Sequence, residues 1–154
     1  MMEIIKAETE DSSEIISLVG EVWREYDCIL NTDVEEQHLL DPGNYFRQRG
    51  GDFWIVRENG VLIATVGVSI EGELAEMKTL YVRKEARGGG LGTRLANLAM
   101  ETAKRRGAER MELWSDTRFT DAHRMYERLG FTRFDIRDLN DHNNTREYGY
   151  RREI

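Results

Sequence analysis

The stretch that decides the fold is LYVRKEARGGGLGTRL, residues 80–95. Three apolar residues typical of a strand come first, then a basic turn with four glycines in five positions, and then a helical pattern. Glycines let successive backbone N–H groups crowd toward one point, and a helix start adds its own unpaired N–H groups and its positive dipole end. The stretch therefore predicts a strand, a turn and a helix that together bind a phosphate group.

Two well-known phosphate-binding motifs do not fit this turn. A dinucleotide fingerprint needs G-x-G-x-x-G, but a frame that starts at Gly88 ends on Thr93, and one that starts at Gly90 ends on Leu95. A nucleoside-triphosphate loop needs G-x-x-x-x-G-K-[ST], and the chain contains no Gly-Lys pair. The pattern that remains is R-x-x-G-x-G, which begins at Arg87.

Composition narrows the class of protein. A chain of 154 residues with 40% hydrophobic residues suits a single domain over residues 1–154 with a substantial core. A formal net charge of −7 argues against a nucleic-acid binder, and it modestly favours cationic partners such as amines. No apolar run is long enough for a membrane span, and the first residues lack a signal peptide's features. We therefore expect a cytoplasmic protein that binds no membrane, and the lone Cys28 agrees with a reducing compartment.

The positions around the glycine turn carry positive charge in this acidic chain. Arg83, Lys84, Arg87 and Arg94 lie there, with Glu85 as the one opposing charge between residues 83 and 94. A solvated charge run would show the same pattern. Because the run coincides with a turn suited to phosphate, we expect an anionic ligand at this place.

The order of predicted elements describes an α/β protein with a mixed sheet. A first strand and a capped amphipathic helix precede a second helical region over residues 34–47, which Asp41-Pro42-Gly43 should break. An antiparallel meander follows, with a hairpin turn at Asn59-Gly60. Because a helix separates the strand that ends at Val82 from the next one, these two strands should be parallel.

The chain resembles the GNAT superfamily of acetyl-CoA-dependent N-acetyltransferases. The turn that begins at Arg87 looks like the family's acetyl-CoA pyrophosphate loop, and AHRMYERLGF, residues 122–131, looks like its second hallmark, A-x-x-x-Y-E-x-x-G-F. The resemblance extends over nearly all of the chain. It implies a single-domain GNAT-like fold: a mixed, mostly antiparallel sheet with a splayed pair of parallel strands, flanked by helices.

The resemblance also implies where acetyl-CoA binds as co-substrate. The main chain of Leu80, Tyr81 and Val82 would contact the acetyl and pantetheine part. The pyrophosphate would bind a cradle at residues 87–93, which comprises Arg87, Gly88, Gly89, Gly90, Leu91, Gly92 and Thr93. No metal is expected, because the three histidines have no metal-ligand spacing with the cysteine or with each other.

Two catalytic residues follow from the same resemblance. Tyr126 matches the tyrosine whose hydroxyl reaches the CoA sulfur as general acid or hydrogen-bond donor, although its apolar helical neighbours would also suit a core residue. Glu76 has the spacing ahead of Arg87 of the general base in the family's histone-modifying branch. It could instead face solvent or pair with Lys78. Phe119 departs from the family pattern, which often has asparagine there to bind the pantetheine arm.

The expected activity is transfer of the acetyl group of acetyl-CoA to a primary amine by direct attack on the thioester. The acceptor, a small molecule or a peptide, would bind beside residues 26–45 and the polar loop before the last strand, where Asp27, Asp33, Glu35 and Glu36 could attract a cation. A homodimer is a family expectation. Two alternatives remain open, namely a catalytically silent acyl-CoA sensor and a nucleotide-binding protein.

Overall fold

A seven-stranded sheet with four α-helices runs through the protein, seen in a computed structural model that describes residues 1–33 and 35–154. The strands are β1 (Met2–Lys6), β2 (Asp52–Glu58), β3 (Val61–Glu71), β4 (Leu74–Val82), β5 (Arg110–Asp116), β6 (Thr132–Asp138) and β7 (Arg146–Glu153). The helices are α1 (Ser12–Arg24), α2 (Pro42–Arg47), α3 (Leu91–Arg105) and α4 (Thr120–Arg128). No helix in these described ranges is long and apolar enough to cross a membrane.

The sheet has the order β1-β2-β3-β4-β5-β7-β6 and is antiparallel except between β4 and β5. Asn59 and Gly60, with φ of 52° and 82°, form the turn between β2 and β3, as a type I′ hairpin requires. The crossover through α3 returns the chain in the same direction, which makes β5 parallel to β4. The mixed sheet expected from the sequence is confirmed.

Helices cover both faces of the sheet because the strand residues alternate between two cores. Along β2, Trp54 and Val56 belong to the core beneath α3 and α4, whereas Phe53 and Ile55 belong to the core beneath α1 and α2. Leu95 of α3 is fully buried. Burial of one such side chain stabilises the fold by about 1.5–3 kcal/mol, and this fixes the start of α3 against the sheet.

The two parallel strands separate halfway along their length. Their register runs from Leu74 opposite Arg110 to Met77 opposite Leu113, and beyond it the described strands do not pair with each other. At this point Thr79 has a φ of 57°, and the β3–β4 register shifts. The hydroxyl of Thr65 donates to the Thr79 carbonyl over 2.8 Å and so holds the irregular strand in place. The splayed pair expected from the sequence is confirmed.

The second helical region is shorter than residues 34–47. Its first residue, Val34, lies outside the described residues. A 3₁₀ turn covers Gln37–Leu40, and α2 begins only at Pro42, where the side chain of Asp41 accepts a hydrogen bond from the Asn44 backbone. The interruption expected at Asp41-Pro42-Gly43 is confirmed, since proline suits the first position of a helix and not its interior.

Candidate active site

A cavity of about 430 Å³ opens where β4 and β5 separate. The end of α1, the cradle, α4 and the loop between β6 and β7 complete its walls. Among its lining residues are Leu80, Tyr81, Val82, Arg87, Gly88, Gly90, Leu91, Gly92, Thr93 and Tyr126. The structure therefore brings together the site residues predicted from the sequence, except Gly89 and Glu76, which lie outside this lining.

The main chain of the cradle offers a cluster of free N–H groups. Gly88 and Gly90 have φ of 90° and 82°, values that side-chain-bearing residues rarely adopt, and no side chain caps the start of α3. Within the described chain, none of the six amides from residue 88 to residue 93 donates a hydrogen bond to another residue. Six unpaired donors at a helix N-terminus can bind a diphosphate.

The arginines near the cradle contribute less positive charge than the sequence suggested. Arg87 forms a two-pronged ion pair with Glu25 at 2.7 Å, and its Nε donates to the Val82 carbonyl over 2.9 Å. Arg83 pairs with Glu21 of α1. Two of the four cations are thus largely neutralised by the end of α1, so the backbone amides and the helix dipole supply most of the attraction for an anion.

The free edge of β4 presents main-chain groups to the cavity. The Arg83 amide donates to the Ile63 carbonyl of β3 over 2.8 Å. Because alternate residues of a strand direct their main-chain groups to opposite sides, the N–H and C=O of Leu80 and the N–H of Val82 face the gap between β4 and β5, where the Val82 carbonyl already accepts from Arg87 Nε. These groups can hydrogen-bond an extended amide-containing chain, and the Leu80 N–H can donate to an oxyanion.

Tyr126 brings a phenol hydroxyl into the same cavity. Its side chain is 6% exposed and packs against the rings of Phe131 and Tyr150. Its hydroxyl has no hydrogen-bond partner within the described chain, and burial raises its pKa well above the ordinary value. The ring belongs to the core while the residue lines the cavity, and the role of its hydroxyl as acid or donor stays a prediction. A phenol of this kind stays protonated at neutral pH and can donate.

Aromatic side chains form the wall opposite Tyr126. The indole N–H of Trp23 donates to the Tyr81 hydroxyl over 3.0 Å, and Phe119 packs against both Tyr81 and Tyr26. The Tyr26 and Phe119 ring centroids are 4.7 Å apart. Phe119 therefore contributes an apolar contact where the family pattern often has an asparagine, and any bound pantetheine arm would meet a ring there instead of a side-chain amide.

Glu76 lies in the paired part of the sheet, away from the cavity lining. Its neighbours in register are Ser69 on β3 and Glu112 on β5. Since Ala75 and Met77 are buried in the core beneath α3, alternation places the Glu76 side chain on the other face of the sheet. The sequence spacing identified its strand correctly, but spacing along a strand could not show where the strand separates from its neighbour.

Glu36 is one of the carboxylates that line the cavity. Sequence reasoning named it only as one of four acidic residues that could attract a cation. Glu36 precedes the 3₁₀ turn with a φ of 51°, and its carboxylate lies 3.5 Å from Nδ1 of His38. Desolvation by burial raises the pKa of Glu36 above its ordinary value. One feature of the sequence could have pointed to Glu36. It lies within residues 26–45, the region expected to shape the acceptor side.

Contacts between two loops close the acceptor end of the cavity. Asn143 exchanges two hydrogen bonds with the backbone of Ile29, at 3.0 and 2.9 Å. The ring of His142 contacts the Ile29 carbonyl at 2.7 Å and the Glu35 carboxylate at 2.9 Å. The hydrogen bond to the Ile29 carbonyl and the bond to Glu35 raise the pKa of His142 above its ordinary value. The loop after β6 is thereby tied to the segment that follows α1.

Fold and cavity together define the class of protein. A diphosphate site at the helix start and a polar strand edge beside a deep apolar slot suit an acyl donor carried on a long phosphorylated arm. An acyl-CoA has this shape. The class is that of the acyl-CoA-dependent transferases.

The chain belongs to the acetyltransferase (GNAT) family, whose family model matches residues 15–131. It is similar to the aminoalkylphosphonate N-acetyltransferase of Salmonella typhimurium (strain LT2), with 29% identity over 136 residues and 84% of each chain covered. A GNAT-family acetyltransferase from Staphylococcus aureus Mu50 shares the fold with a TM-score of 0.87, at 19% identity over 99% of each chain.

Another structure with this fold was solved with its cofactor acetyl-CoA. It is an acetyltransferase from Salmonella typhimurium, with a TM-score of 0.75 and 20% identity over 99% of this chain and 93% of that one. The resemblance noted in the sequence is confirmed. The protein is an acetyl-CoA-dependent N-acetyltransferase of the GNAT family, whose members act on amine acceptors.

Proposed function

We propose that this protein transfers the acetyl group of acetyl-CoA to a primary amine by direct attack of the amine on the thioester. The observation that carries the proposal is the run of six unpaired amides at residues 88–93, which opens into the cavity that also holds Tyr126. One end of this cavity suits the diphosphate and the other end is left for the acceptor. No covalent acetyl-enzyme is needed, because both reactants can occupy the cavity together.

The residues around the slot have separate roles in this proposal. The main-chain groups of Leu80 and the N–H of Val82 hold the pantetheine arm and aim the acetyl carbon toward the acceptor end. The Leu80 N–H stabilises the developing oxyanion, a type of interaction worth about 2.7–4 kcal/mol. Tyr126 donates a hydrogen bond or its proton to the departing thiolate. A thiol pKa of about 8.5 means that modest help suffices for departure at pH 7.

The acceptor amine must lose a proton before or during attack. A side-chain-type amine with a pKa of about 10.4 is protonated at pH 7 by about 3.4 pH units, so presenting it as a nucleophile costs roughly 4–5 kcal/mol. A cavity that attracts the ammonium and then removes its proton lowers this cost. Glu76 was the base expected from the sequence; it lies outside the cavity lining, which supports a bridging water or another group in that role.

The charges at the acceptor end favour an amine without an anionic tail. Glu36, Asp141 and Glu147 line that part of the cavity, and Lys78 is the cation that faces Glu36. The relative from Salmonella typhimurium is named for aminoalkylphosphonates, whose phosphonate would meet repulsion here. We therefore propose that the acceptor is a small-molecule or peptide amine whose remaining groups are neutral or cationic.

Release of free thiol from acetyl-CoA tests the proposal. The amines would be alaninamide, Nα-acetyl-lysinamide, putrescine and 2-aminoethylphosphonate, each at neutral pH. We expect turnover with at least one of the first three, and the phosphonate should be the poorest acceptor. Tight acetyl-CoA binding without thiol release for any amine would instead indicate a silent sensor, and displacement of CoA by ATP or NAD would indicate a nucleotide-binding protein.

Several expectations from the sequence stay predictions. They are the single domain over residues 1–154, a cytoplasmic location, a homodimer, and the absence of nucleic-acid, membrane and metal partners. Within residues 1–33 and 35–154 no three His, Cys, Asp or Glu side chains come close enough to hold a metal ion. Gel filtration with light scattering would test the dimer.

A further inference from the structure

We propose that Glu36 is the general base that accepts the proton of the acceptor amine. This inference rests on the proposed N-acetyltransferase function and adds to it the residue that activates the nucleophile. The base predicted from the sequence, Glu76, lies outside the cavity lining, whereas Glu36 lines the cavity.

The position of Glu36 suits proton transfer at the acceptor end. The carboxylate is 32% exposed, so it is accessible from the cavity yet largely shielded from bulk water. Both Glu36 and Tyr126 act electrostatically on the hydroxyl of Tyr81. Glu36, Tyr81 and Tyr126 line the same cavity, so the base and the acid share the space in which a direct transfer between two bound reactants takes place.

The ring of His38 lies beside the carboxylate and does not replace it as the base. Its Nδ1 lies 3.5 Å from the Glu36 carboxylate, and its Nε2 lies 3.0 Å from the Thr79 hydroxyl. Burial lowers the pKa of His38 to about 3, so the ring is neutral and a very weak base. A carboxylate on Nδ1 favours the tautomer that carries its proton there, and Nε2 then accepts from Thr79. The three groups resemble a carboxylate, imidazole and hydroxyl triad, but so weak an imidazole cannot activate the hydroxyl as a nucleophile.

Charged groups from four directions face Glu36. Lys78 on β4 lowers its pKa, while Glu147 on β7, Asp141 in the loop after β6 and the adjacent Glu35 raise it. Desolvation is the largest of these influences and also raises it. A carboxylate whose pKa lies above the ordinary value is a better proton acceptor near neutral pH. The surrounding negative charge also attracts the ammonium form of the acceptor before the transfer.

The proton balance of the step is simple. The acceptor arrives as R–NH₃⁺ and gives one proton to the Glu36 carboxylate. The free amine attacks the thioester carbonyl, the C–S bond breaks and the C–N bond forms. The second proton of the amine passes to water as the amide forms. The thiolate takes a proton from Tyr126, which regains one from solvent, or directly from water. Glu36 returns its proton to solvent through the exposed part of the cavity.

The experiment compares Glu36→Gln with wild-type enzyme, using acetyl-CoA with Nα-acetyl-lysinamide and with alaninamide. For the lysine-type amine at pH 7 we expect kcat/KM to fall by about 10²–10³-fold while acetyl-CoA affinity changes less than about twofold. The loss should be at least about tenfold smaller for alaninamide, because an α-amino group has a pKa of only about 7.7–8.0. The wild-type pH profile should show an acid limb set by the Glu36 carboxylate, whereas the rate of the variant should keep rising with pH up to the pKa of the amine.

Glu101→Gln is the matched control, because Glu101 is exposed on the outer face of α3. It should behave as wild type. Glu36→Gln with normal kcat/KM and an unchanged pH profile would overturn the inference, as would the same loss in Glu76→Gln instead. An acetyl group found on Thr79 by mass spectrometry, with parallel-line kinetics, would also overturn it. If wild-type enzyme releases no thiol with either amine, that result contradicts the proposed function itself, and with it the inference about Glu36.

Discussion

Placing a negative charge in the cradle should abolish diphosphate binding without unfolding the protein. Gly90 has a φ of 82° and is the N-terminal flanking residue of α3, and a Cβ at this position would meet no atom within 4 Å. Aspartate and asparagine tolerate this left-handed conformation better than other side chains. Gly90→Asp and Gly90→Asn are therefore close in size and strain, and they differ mainly in one charge beside the unpaired amides.

The size of the effect follows from that charge. Two unit charges about 6 Å apart interact by roughly 3 kcal/mol at an effective dielectric constant of about 20, and solvent screening reduces this at an open site. We expect Gly90→Asp to bind acetyl-CoA about 10–100-fold more weakly than Gly90→Asn. The same carboxylate beside the helix N-terminus should contribute about 0.3–1 kcal/mol to folding stability. Gly90→Asp should thus bind acetyl-CoA more weakly than Gly90→Asn and yet be at least as stable to unfolding.

Isothermal titration with acetyl-CoA and thermal unfolding would measure both effects. Gly60→Asp is the matched control, because Gly60 also has a φ of 82° with open space where a Cβ would lie, and it belongs to the β2–β3 hairpin away from the cavity. It should bind acetyl-CoA as wild type does. The difference between the two Gly90 variants should shrink as salt is added. Equal affinities of Gly90→Asp and Gly90→Asn at low salt would refute the assignment of the cradle.

Three further predictions concern the acid, a loop contact and the fold. Tyr126→Phe should keep its acetyl-CoA affinity but lose about 10–100-fold in kcat, measured by thiol release, and an unchanged kcat would remove the acid role. The raised pKa of His142 means that its loop contact is fully formed below pH 6.5 and is lost as pH rises through the higher folded-state pKa, so an NMR titration should give a value above 6.5. Arg106→Ala should cost about 2 kcal/mol in urea unfolding, because Asp52, 4% exposed, would keep only Lys6 at 3.5 Å; no change in stability would contradict this.

The fold was predictable because several local signals agreed. The Asn59-Gly60 turn, the proline at the start of α2 and the glycine turn before α3 each act through neighbouring residues, so they can be recognised in sequence. The parallel pairing of β4 and β5 could also be predicted, because a single helix connects the two strands and returns the chain in the same direction. The cradle and Tyr126 could be predicted as site residues because both belong to short patterns of fixed spacing, and their roles stay predictions.

The acceptor end was harder to predict because it is assembled from distant parts of the chain. Glu36, His38 and Thr79 come together where β4 becomes irregular at Thr79. No sequence pattern in residues 74–82 predicts that this threonine adopts a left-handed backbone conformation. The pairing of Arg87 with Glu25 is equally non-local. Charge counted along the sequence therefore overstated the positive field at the cradle, and spacing along β4 selected Glu76, whose role as base stays a prediction.

Hydrogen exchange of the cradle amides, followed residue by residue by NMR, tests the central claim most directly. Without ligand, the amides of residues 88–93 should exchange quickly, because none of them donates a hydrogen bond within the described chain. Saturation with acetyl-CoA should slow several of them markedly, while the exposed amide of Gly60 should not change. Slow exchange of these amides before acetyl-CoA is added, or no protection after it binds, would contradict the account.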